Sequence, residues 1–479
     1  MKTIKESAIL AAVVVVFFCA LGYVQTHVAG MLDVANKWVA PQTFVAINGV
    51  VRVDANATGG SGTSGSPWTG WESSVTAVPC GGTAHFGAGY YTTASTFNFP
   101  NSCSNQVTVE GEGIENTFVT FTGSATPALS WQGSTNGGGL KDINIKINNA
   151  AVDAVNMNGI AQFIMRNVLL TGPYTGTGNA VGCSADNGKG CGLHITAGTV
   201  AGHFEKITSL EFEGDGINID SETSGSNVFR TVIGQGDGGW NWNIHRVDNN
   251  ASGGPIYCFD CEGLGIPNVP TSGAFTITSG VLLTTQSFGF WCFECIADGE
   301  NTPSTAVGMN LQLVSMVFLS NNWIKALSTG GSALVVAGVQ NVFVSGGFIQ
   351  NSATTVAPIS LGSGTSNFRV TGAYISAMGT QPAVHYSGGG FGSFNSLGGA
   401  LITPGTAALT DDFANATLAG FTGAAGSTVG RLPSCTAGVF GSITSITDNN
   451  AACAYGGTPT AGGSTACMVY CDGTSWKIH

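Results

Sequence analysis

The sequence predicts an all-β fold, a right-handed, single-stranded parallel β-helix, and three observations lead to it. Glycine makes up 72 of the 479 residues, only 9% of the residues are charged, and short β-branched or aromatic segments recur along the chain. Helical bundles and coiled coils need more Glu and Lys than this, so both are excluded. With 43% apolar residues the chain can bury a large core, which excludes a disordered protein.

The recurring segments define the coils of the predicted helix. They begin at Leu140, Phe163, Phe204, Val228, Ile256, Phe290, Gln312, Val342 and Phe368. Their starts lie 23, 41, 24, 28, 34, 22, 30 and 26 residues apart. A regular step that lengthens where a loop is inserted is typical of a solenoid, whose strands stack about 4.8 Å apart. A β-sandwich also uses short strands, but it does not explain self-similar coils over such a length.

The sequence divides into four predicted parts. These are a signal peptide or membrane anchor at 1–22, a connecting segment at 23–52, the β-helix at 53–425 and a cysteine-rich module at 426–479. The first part rests on Lys2 and Lys5, which precede an uncharged apolar run. Residues 68–78 are expected to form one short helix, because apolar side chains recur there on one face. Either interpretation of the first part exports the rest of the chain.

Cysteine usage agrees with export. There are thirteen cysteines, and removing Cys19 with the first segment leaves twelve. They fall into local groups, which are Cys80 with Cys103, Cys183 with Cys191, a central four and a C-terminal four. Such groups indicate disulfides formed in an oxidising compartment. The cysteines expected in disulfides are Cys80, Cys103, Cys183, Cys191, Cys258, Cys261, Cys292, Cys295, Cys435, Cys453, Cys467 and Cys471. The net charge of −12 and the scarcity of basic residues argue against nucleic acid as a partner.

Motifs near the start of the predicted coils resemble those of a known superfamily. They are Asp54-Ala55, Trp68-Thr69-Gly70-Trp71, the segment 82–90 with its three glycines, and Val107-Thr108-Val109-Glu110-Gly111. This pattern resembles the start of pectate-lyase-superfamily β-helices, which include phage tailspikes and secreted polysaccharide-active proteins. The resemblance implies a short helix that caps the tube, a polysaccharide bound along the lateral face, and a homotrimer if the chain is a tailspike. The polygalacturonase and pectate lyase signatures are missing, which argues against pectin cleavage.

The C-terminal module has a resemblance of its own. Leu432-Pro433-Ser434-Cys435 and the segment 469–477 are similar to a small β-rich module at the ends of phage tail proteins. Disulfides among its four cysteines are expected to staple a unit of about 50 residues, since so small a core is marginal. Two roles stay open for it, a cap over the last coil and a binding module.

Carboxylates concentrate in the middle coils and give the candidate catalytic residues. They are Glu211, Glu213, Asp215, Asp220, Glu222, Asp237, Asp260, Glu262, Glu294 and Asp298. The repeat puts Asp260 beside Glu294 on neighbouring coils, where two like charges raise a pKa and suit acid–base catalysis. Asp237 and His245 are further catalytic candidates, with His245 as a proton shuttle. Solvated turn residues and a Ca²⁺ site are the alternatives, and no other cofactor is expected.

Aromatic and basic residues in the same coils are candidates for sugar binding. Trp240, Trp242, Tyr257 and Trp291 could stack on sugar faces, or they could lie inside the tube. Arg246 follows His245 and could neutralise a uronate.

Two CxxC motifs, Cys258 to Cys261 and Cys292 to Cys295, leave two alternatives. They could bind zinc, as they would in the cytosol, or form disulfides after export. If disulfides form, the stacking of coils suggests Cys258 with Cys292 and Cys261 with Cys295.

Together these features predict an exported or virion-surface protein that binds a polysaccharide, with depolymerisation by a lyase or hydrolase left open. The alternative is a non-catalytic adhesin, receptor-binding or structural surface protein. The expected location is the cell surface or the medium, or a virion tail.

Overall fold

The computed structural model describes most of the predicted β-helix and the C-terminal module. The described residues are 50–53, 78–99, 105–133, 136–176, 181–220, 226–246, 255–265, 273–279, 289–299, 307–326, 331–352, 355–378, 381–387, 401–403, 429–432, 435 and 443–478. The predicted signal or anchor segment, the capping helix up to residue 77, and Cys103 lie outside them. None of the described helices is long and apolar enough to cross a membrane.

Strands account for nearly all the regular structure of the described residues. The first are β1 (Val50–Val53), β2 (Thr83–Phe86), β3 (Gly89–Thr93), β4 (Phe97–Phe99), β5 (Asn105–Glu110), β6 (Thr117–Phe121), β7 (Leu129–Gln132), β8 (Asn136–Ile147), β9 (Val155–Asn158), β10 (Ile164–Thr171), β11 (Leu193–Thr196) and β12 (His203–Leu210). Next come β13 (Ile217–Asp220), β14 (Asn227–Gln235), β15 (Trp240–Arg246), β16 (Ile256–Phe259), β17 (Glu262–Leu264), β18 (Gly273–Ser279), β19 (Gly289–Phe293), β20 (Ile296–Asp298), β21 (Val307–Gln312), β22 (Met316–Ser320) and β23 (Trp323–Ala326). The last are β24 (Leu334–Ala337), β25 (Val342–Ser345), β26 (Phe348–Asn351), β27 (Ile359–Gly362), β28 (Phe368–Thr371), β29 (Tyr374–Ser376), β30 (Val384–Ser387), β31 (Leu401–Thr403), β32 (Ile443–Asn449), β33 (Thr465–Cys471) and β34 (Trp476–Ile478). A short helix, α1 (Ser184–Asn187), and a 3₁₀ turn at Val429–Arg431 complete the set.

These strands form two parallel sheets that run the length of a tube. The polar sheet, named for its outer face, is 11-stranded within the described residues and consists of β4, β7, β9, β11, β13, β15, β18, β21, β24, β27 and β30. The long sheet, 20-stranded within the same residues, holds the strands β1 to β31 that remain. A typical coil, such as β16, β17 and β18, gives two strands to the long sheet and one to the polar sheet. The chain is therefore a parallel β-helix, which confirms the predicted fold class.

The long sheet bends at one position in each coil, where the backbone is left-handed. This corner is occupied in successive coils by Asp142, Asn167, Lys206, Thr231, Asp260, Glu294 and Asn321, and then by Gly346 and Gly372. The non-glycine residues have φ between 51° and 58°, a conformation that side chains normally disfavour. Hydrogen bonds between coils stabilise this left-handed conformation. For example, the Asp260 N–H donates to the Phe293 carbonyl over 2.9 Å. Side chains at the corner therefore form an outward column.

The interior is filled by apolar side chains stacked from coil to coil. Alternate strand residues point inward, so equivalent residues of successive coils meet in columns. The Phe204 and Phe229 rings stack with centroids 4.5 Å apart, and the Trp242 and Phe275 rings stack at 5.4 Å. Each fully buried aromatic or aliphatic side chain contributes roughly 1.5–3 kcal/mol to folding. This continuous core holds the outer face of every coil in register.

The C-terminal module is a small antiparallel sheet of β32, β33 and β34. Its core contains Ile446, Val469 and Ile478. Disulfides join Cys435 to Cys471 and Cys453 to Cys467, so all four of its cysteines are paired. The predicted cysteine-rich β module is therefore present.

Candidate functional site

The outer face of the polar sheet carries two columns of polar side chains. Register places His194, Asn218 and Asn243 in one column, in strands β11, β13 and β15. Thr196, Asp220 and His245 form the neighbouring column in the same strands. Residues of a strand alternate between its two faces, so both columns lie on the side away from Trp242 and Ile244. The column of His194, Asn218 and Asn243 is buried there, and the column of Thr196, Asp220 and His245 is part-exposed. We call these six outward residues the polar face.

Asp220 and His245 form the most accessible titratable pair of the polar face. His245 Nδ1 lies 3.8 Å from Asp220 Oδ1, and the two side chains are 43% and 26% exposed respectively. Burial raises the pKa of Asp220 above its usual range, opposed by His245 and His194 and assisted by the Asp186 carboxylate. A partly exposed carboxyl group that keeps its proton to higher pH is suited to donate that proton to a ligand.

Asp215 binds two side chains of the polar face through hydrogen bonds. Its carboxylate is fully buried and accepts hydrogen bonds from the amides of Asn218 and Asn243, 2.8 and 2.7 Å long. It also accepts the backbone N–H groups of Gly182 and Trp240 at 2.9 and 2.7 Å. Burial raises the pKa of Asp215 to about 6, although these four donors favour its charged form. Asp215 thus fixes the orientation of two amides on neighbouring coils.

Asn218 has an acceptor that no described group satisfies. Because its amide nitrogen donates to Asp215, its Oδ1 points elsewhere, and this buried oxygen lacks a hydrogen-bond partner among the described residues. Buried polar atoms are normally paired, and exceptions are typical of functional sites.

Asp237, predicted to be catalytic, is not at a surface. It is fully buried, and its Oδ1 accepts the backbone N–H of Phe212 over 2.9 Å. Burial raises its pKa well above the usual range, with Asp215 and Glu211 adding to the shift. Because no polymer reaches this carboxyl group in the folded chain, the catalytic prediction is corrected to a structural role.

The predicted sugar-binding tryptophans of β15 are also corrected. Trp242 is completely buried, and its indole N–H donates to the Glu262 carbonyl over 2.9 Å. Trp240 is only 9% exposed. Both belong to the core because they occupy inward positions of β15. Arg246 ends that strand, and its side chain lies outside the described residues.

The pair predicted from the repeat lies on a different sheet. Asp260 and Glu294 occupy the left-handed corner of the long sheet on adjacent coils, and both are exposed. The structure thus brings these two together but puts His245 on the polar sheet, away from them. Asp260 accepts a hydrogen bond from Thr231 on the preceding coil, 3.2 Å long. Their role in catalysis stays a prediction.

Aromatic side chains flank that corner on both sides. Tyr257, Trp291, Phe318 and Phe343 follow one another in a single outward column, with ring centroids 4.9–5.2 Å apart. Beyond the corner, Trp323 and Phe348 are in register and 44% and 55% exposed. We call these six residues the aromatic surface. Tyr257 and Trp291 therefore lie outside the tube, as sugar binding requires, whereas the β15 tryptophans do not.

The central cysteines pair differently from the prediction. The disulfide joins Cys292 to Cys295 within one coil, and Cys258 and Cys261 are buried free thiols. The left-handed residue between the two cysteines of a motif folds the chain back, so the Cα atoms of Cys292 and Cys295 are 5.9 Å apart. The pairing between coils and the disulfide assignment of Cys258 and Cys261 are therefore wrong.

The other predicted pairs are partly described. Cys183 and Cys191 form a disulfide, as their spacing predicts. Cys80 is also disulfide-bonded, and Cys103 lies outside the described residues. Within the described residues, metal-ligating side chains converge at one place, formed by Asp153, Cys183, Cys191 and His194. Among the residues that the structure describes, the acidic residues proposed for Ca²⁺ and the CxxC motifs proposed for zinc do not converge in this way, and Glu222 lies outside those residues.

Comparisons with known proteins give similarities to solved structures alone. No protein-family model matches the chain, and no curated protein sequence matches it. The chain is similar to the A-module of the mannuronan C-5 epimerase AlgE4 of Azotobacter vinelandii, at 16% identity, covering 71% of this chain and 91% of that chain with a TM-score of 0.46. It is similar to the catalytic domain of a GH87 alpha-1,3-glucanase, at 13% identity over 71% and 64% of the chains with a TM-score of 0.45. It is also similar to tailspike protein 3 of bacteriophage CBA120, at 10% identity over 74% and 59% with a TM-score of 0.41. Similarity this low carries no conclusion about substrate or activity.

Proposed function

We propose that the protein binds a polysaccharide along the polar face and that Asp220 donates a proton to it. The observation that carries the proposal is the Asp220–His245 pair, held on adjacent coils with 3.8 Å between Oδ1 and Nδ1. Coils repeat along the tube axis, so an extended polymer meets equivalent side chains at each step. This repeating surface therefore suits an extended polymer better than it suits a compact ligand.

The polar face has the hydrogen-bonding groups that sugars require. The column of Thr196, Asp220 and His245 is part-exposed and carries a hydroxyl, a carboxyl and an imidazole group. Sugar hydroxyls both donate and accept hydrogen bonds, so they complement these groups. Thr196 and Thr278 extend the same surface along the column of Asp220.

Proton donation by Asp220 would assist departure of a glycosidic oxygen. Hydrolases and lyases both cleave this bond, and a positioned acid contributes roughly a hundredfold or more to such a step. His245 lies close enough to orient the carboxyl group of Asp220. A lyase would leave unsaturated uronates, and a hydrolase would leave reducing ends without unsaturation.

Binding without cleavage on the aromatic surface is the second candidate function. It is favoured by the exposed rings of Trp323 and Phe348 beside the Glu294 corner. Aromatic faces stack on the apolar faces of sugars, as they do on other flat partners. This arrangement fits an adhesin or receptor-binding surface, in which Asp260 and Glu294 would bind sugar hydroxyls.

A position outside the cell or on a virion fits this function. Disulfides persist in oxidising surroundings, and the described residues contain four complete ones. The signal or anchor segment and the homotrimer remain predictions.

The test is incubation of the protein with capsular, lipopolysaccharide and pectic glycans, scoring binding, reducing ends and unsaturated uronates. The proposal expects one glycan to yield product with the wild type and none with Asp220→Asn. Asp260→Asn is the matched control, because it changes an exposed Asp on the other sheet. Product formation that survives Asp220→Asn but is lost in Asp260→Asn would reassign the site to the corner.

A further inference from the structure

Four metal-ligating side chains meet at the loop between Cys183 and Cys191, which contains α1. They are Asp153, Cys183, Cys191 and His194, and each is buried. One ligand atom from each lies within 4.8 Å of the ligand atoms of the others. Tetrahedral zinc in proteins is held by Cys, His and Asp side chains of this kind.

His194 gives an independent indication of a ligand. The residue is 5% exposed, yet neither ring nitrogen has a hydrogen-bond partner among the described residues. Its Nδ1 lies 3.7 Å from Asp153 Oδ2, too far for a hydrogen bond. A buried imidazole without partners costs folding free energy unless something binds it. A metal ion bound to one nitrogen would remove part of that cost.

Asp153 is already oriented for binding. Its Oδ1 accepts the backbone N–H groups of Ser184 and Cys191, 3.0 and 2.9 Å long, and its Oδ2 accepts the Ser184 hydroxyl over 2.8 Å. These three hydrogen bonds fix the orientation of the carboxylate, whose oxygens are among the ligands that zinc accepts.

The two sulfur atoms determine when the site can form. Cys183 and Cys191 are joined as a disulfide, and disulfide sulfur is not the thiolate that zinc binds. The two residues lie on either side of α1, in a loop that packs against Asp153. Either a disulfide or a shared metal ion would close this loop.

We propose that Asp153, Cys183, Cys191 and His194 form a zinc site when the Cys183–Cys191 disulfide is reduced. A dithiol supplies two electrons and two protons, which break the S–S bond and leave two thiols, and the dithiol itself becomes a disulfide. Zn²⁺ then displaces one proton from each thiol to solvent and binds both thiolates, one His194 nitrogen and Asp153 Oδ2. Zinc would close the loop in a reducing compartment, and the disulfide would replace it after oxidation.

The experiment measures zinc on the full-length protein before and after treatment with a phosphine reductant. Mass labelling of thiols in the denatured protein reports the state of Cys183 and Cys191 in each sample. The expected result is about one more zinc ion per chain after reduction, with two sulfur and two nitrogen or oxygen neighbours by X-ray absorption. The oxidised protein is expected not to gain this ion.

The matched control is the double variant Cys183→Ser/Cys191→Ser, which keeps every other cysteine. It and His194→Ala are expected to lose the additional zinc, and circular dichroism checks that both fold. If His194→Ala does not fold, Asp153→Asn and the absorption spectrum of the wild type decide the question. Four sulfur neighbours, uptake that the double variant keeps, equal uptake by oxidised protein, or a disulfide that the phosphine leaves intact would each overturn the proposal.

Discussion

Asp220 and His245 occupy the same position on adjacent coils of the polar sheet, with 3.8 Å between Asp220 Oδ1 and His245 Nδ1. The two residues are 25 apart in sequence, which is one turn of the tube at this height. Parallel register converts that sequence distance into a side-by-side pair, so the fold itself builds the candidate acid–base site. The same relationship puts Asn218 beside Asn243 one column away.

The first prediction concerns the acid role of Asp220. Its pKa is raised, so it stays protonated to higher pH than an ordinary Asp, and turnover should fall as pH rises through that pKa. Asp220→Asn should lower turnover roughly a hundredfold or more and flatten this limb of the pH profile. An unchanged pH profile in the variant would assign the limb to another group.

The second prediction concerns buried carboxyl groups and stability. The pKa of Asp237 is raised well above its usual value, so the folded chain retains a proton that the unfolded chain releases above about pH 4. Stability is therefore highest below that pH and is lost as pH rises through the folded pKa. Asp237→Asn removes this ionisation, so its stability relative to the wild type should increase in urea titrations as the pH rises above the unfolded pKa of about 4.

Asp215 adds to this pH dependence over a defined range. The pKa of Asp215 is about 6 in the folded chain and roughly 4 in the unfolded chain. The free energy of unfolding should therefore fall by up to about 3 kcal/mol as the pH rises from roughly 4 to 6. This loss should remain in Asp237→Asn, since the variant leaves Asp215 in place. A pH-independent free energy of unfolding in the wild type would contradict both assignments.

The third prediction separates a core tryptophan from a surface one. Trp242 packs between Phe229 and Phe275 inside the tube, so Trp242→Ala should cost about 3–5 kcal/mol. Trp291 lies on the outside, and Trp291→Ala should cost about 1–2 kcal/mol. Denaturant titration compares the two, and a Trp291 variant as unstable as the Trp242 variant would contradict the assignment of faces.

The fourth prediction concerns the disulfides. The bond between Cys435 and Cys471 closes a separation of 36 residues, so Cys435→Ala should destabilise the C-terminal module by about 2–4 kcal/mol. Cys258→Ala is the matched control, because the buried thiol of Cys258 forms no disulfide. In a thiol reductant the difference between wild type and Cys435→Ala should disappear. Labelling of the denatured, non-reduced protein should find thiols at Cys258 and Cys261.

The sequence predicted the coils and one of the two candidate pairs. Segments beginning at Phe204, Val228, Ile256 and Phe290 are the first long-sheet strands of their coils, and register aligns them almost as the repeat does. Asp260 and Glu294 follow those segments directly, so their adjacency was predictable. The segment placed at Gln312 was wrong by five residues, since Gln312 ends the polar-sheet strand β21 and Phe290 pairs with Val317. The other segments belong to the long sheet, and loops of different length separate it from the polar sheet.

Because the loops differ in length, the columns of the polar face could not be predicted from the repeat. The 41-residue step contains the Cys183–Cys191 loop, so His194 could not be aligned with Asn218 from the repeat. Trp242 was misassigned for a related reason. Alternate residues of a strand point to opposite faces, and the sequence does not say which set points to the core. The register of β15 with β18 decides that Trp242 is in the inward set.

The most direct test of the account is a crystal structure of the Asp220→Asn variant with an oligosaccharide of whichever glycan the protein binds. We expect sugar rings along the tube axis against the part-exposed column of Thr196, residue 220 and His245, with a glycosidic oxygen beside residue 220. Oligosaccharide bound on the aromatic surface, with the polar face empty, would contradict the account.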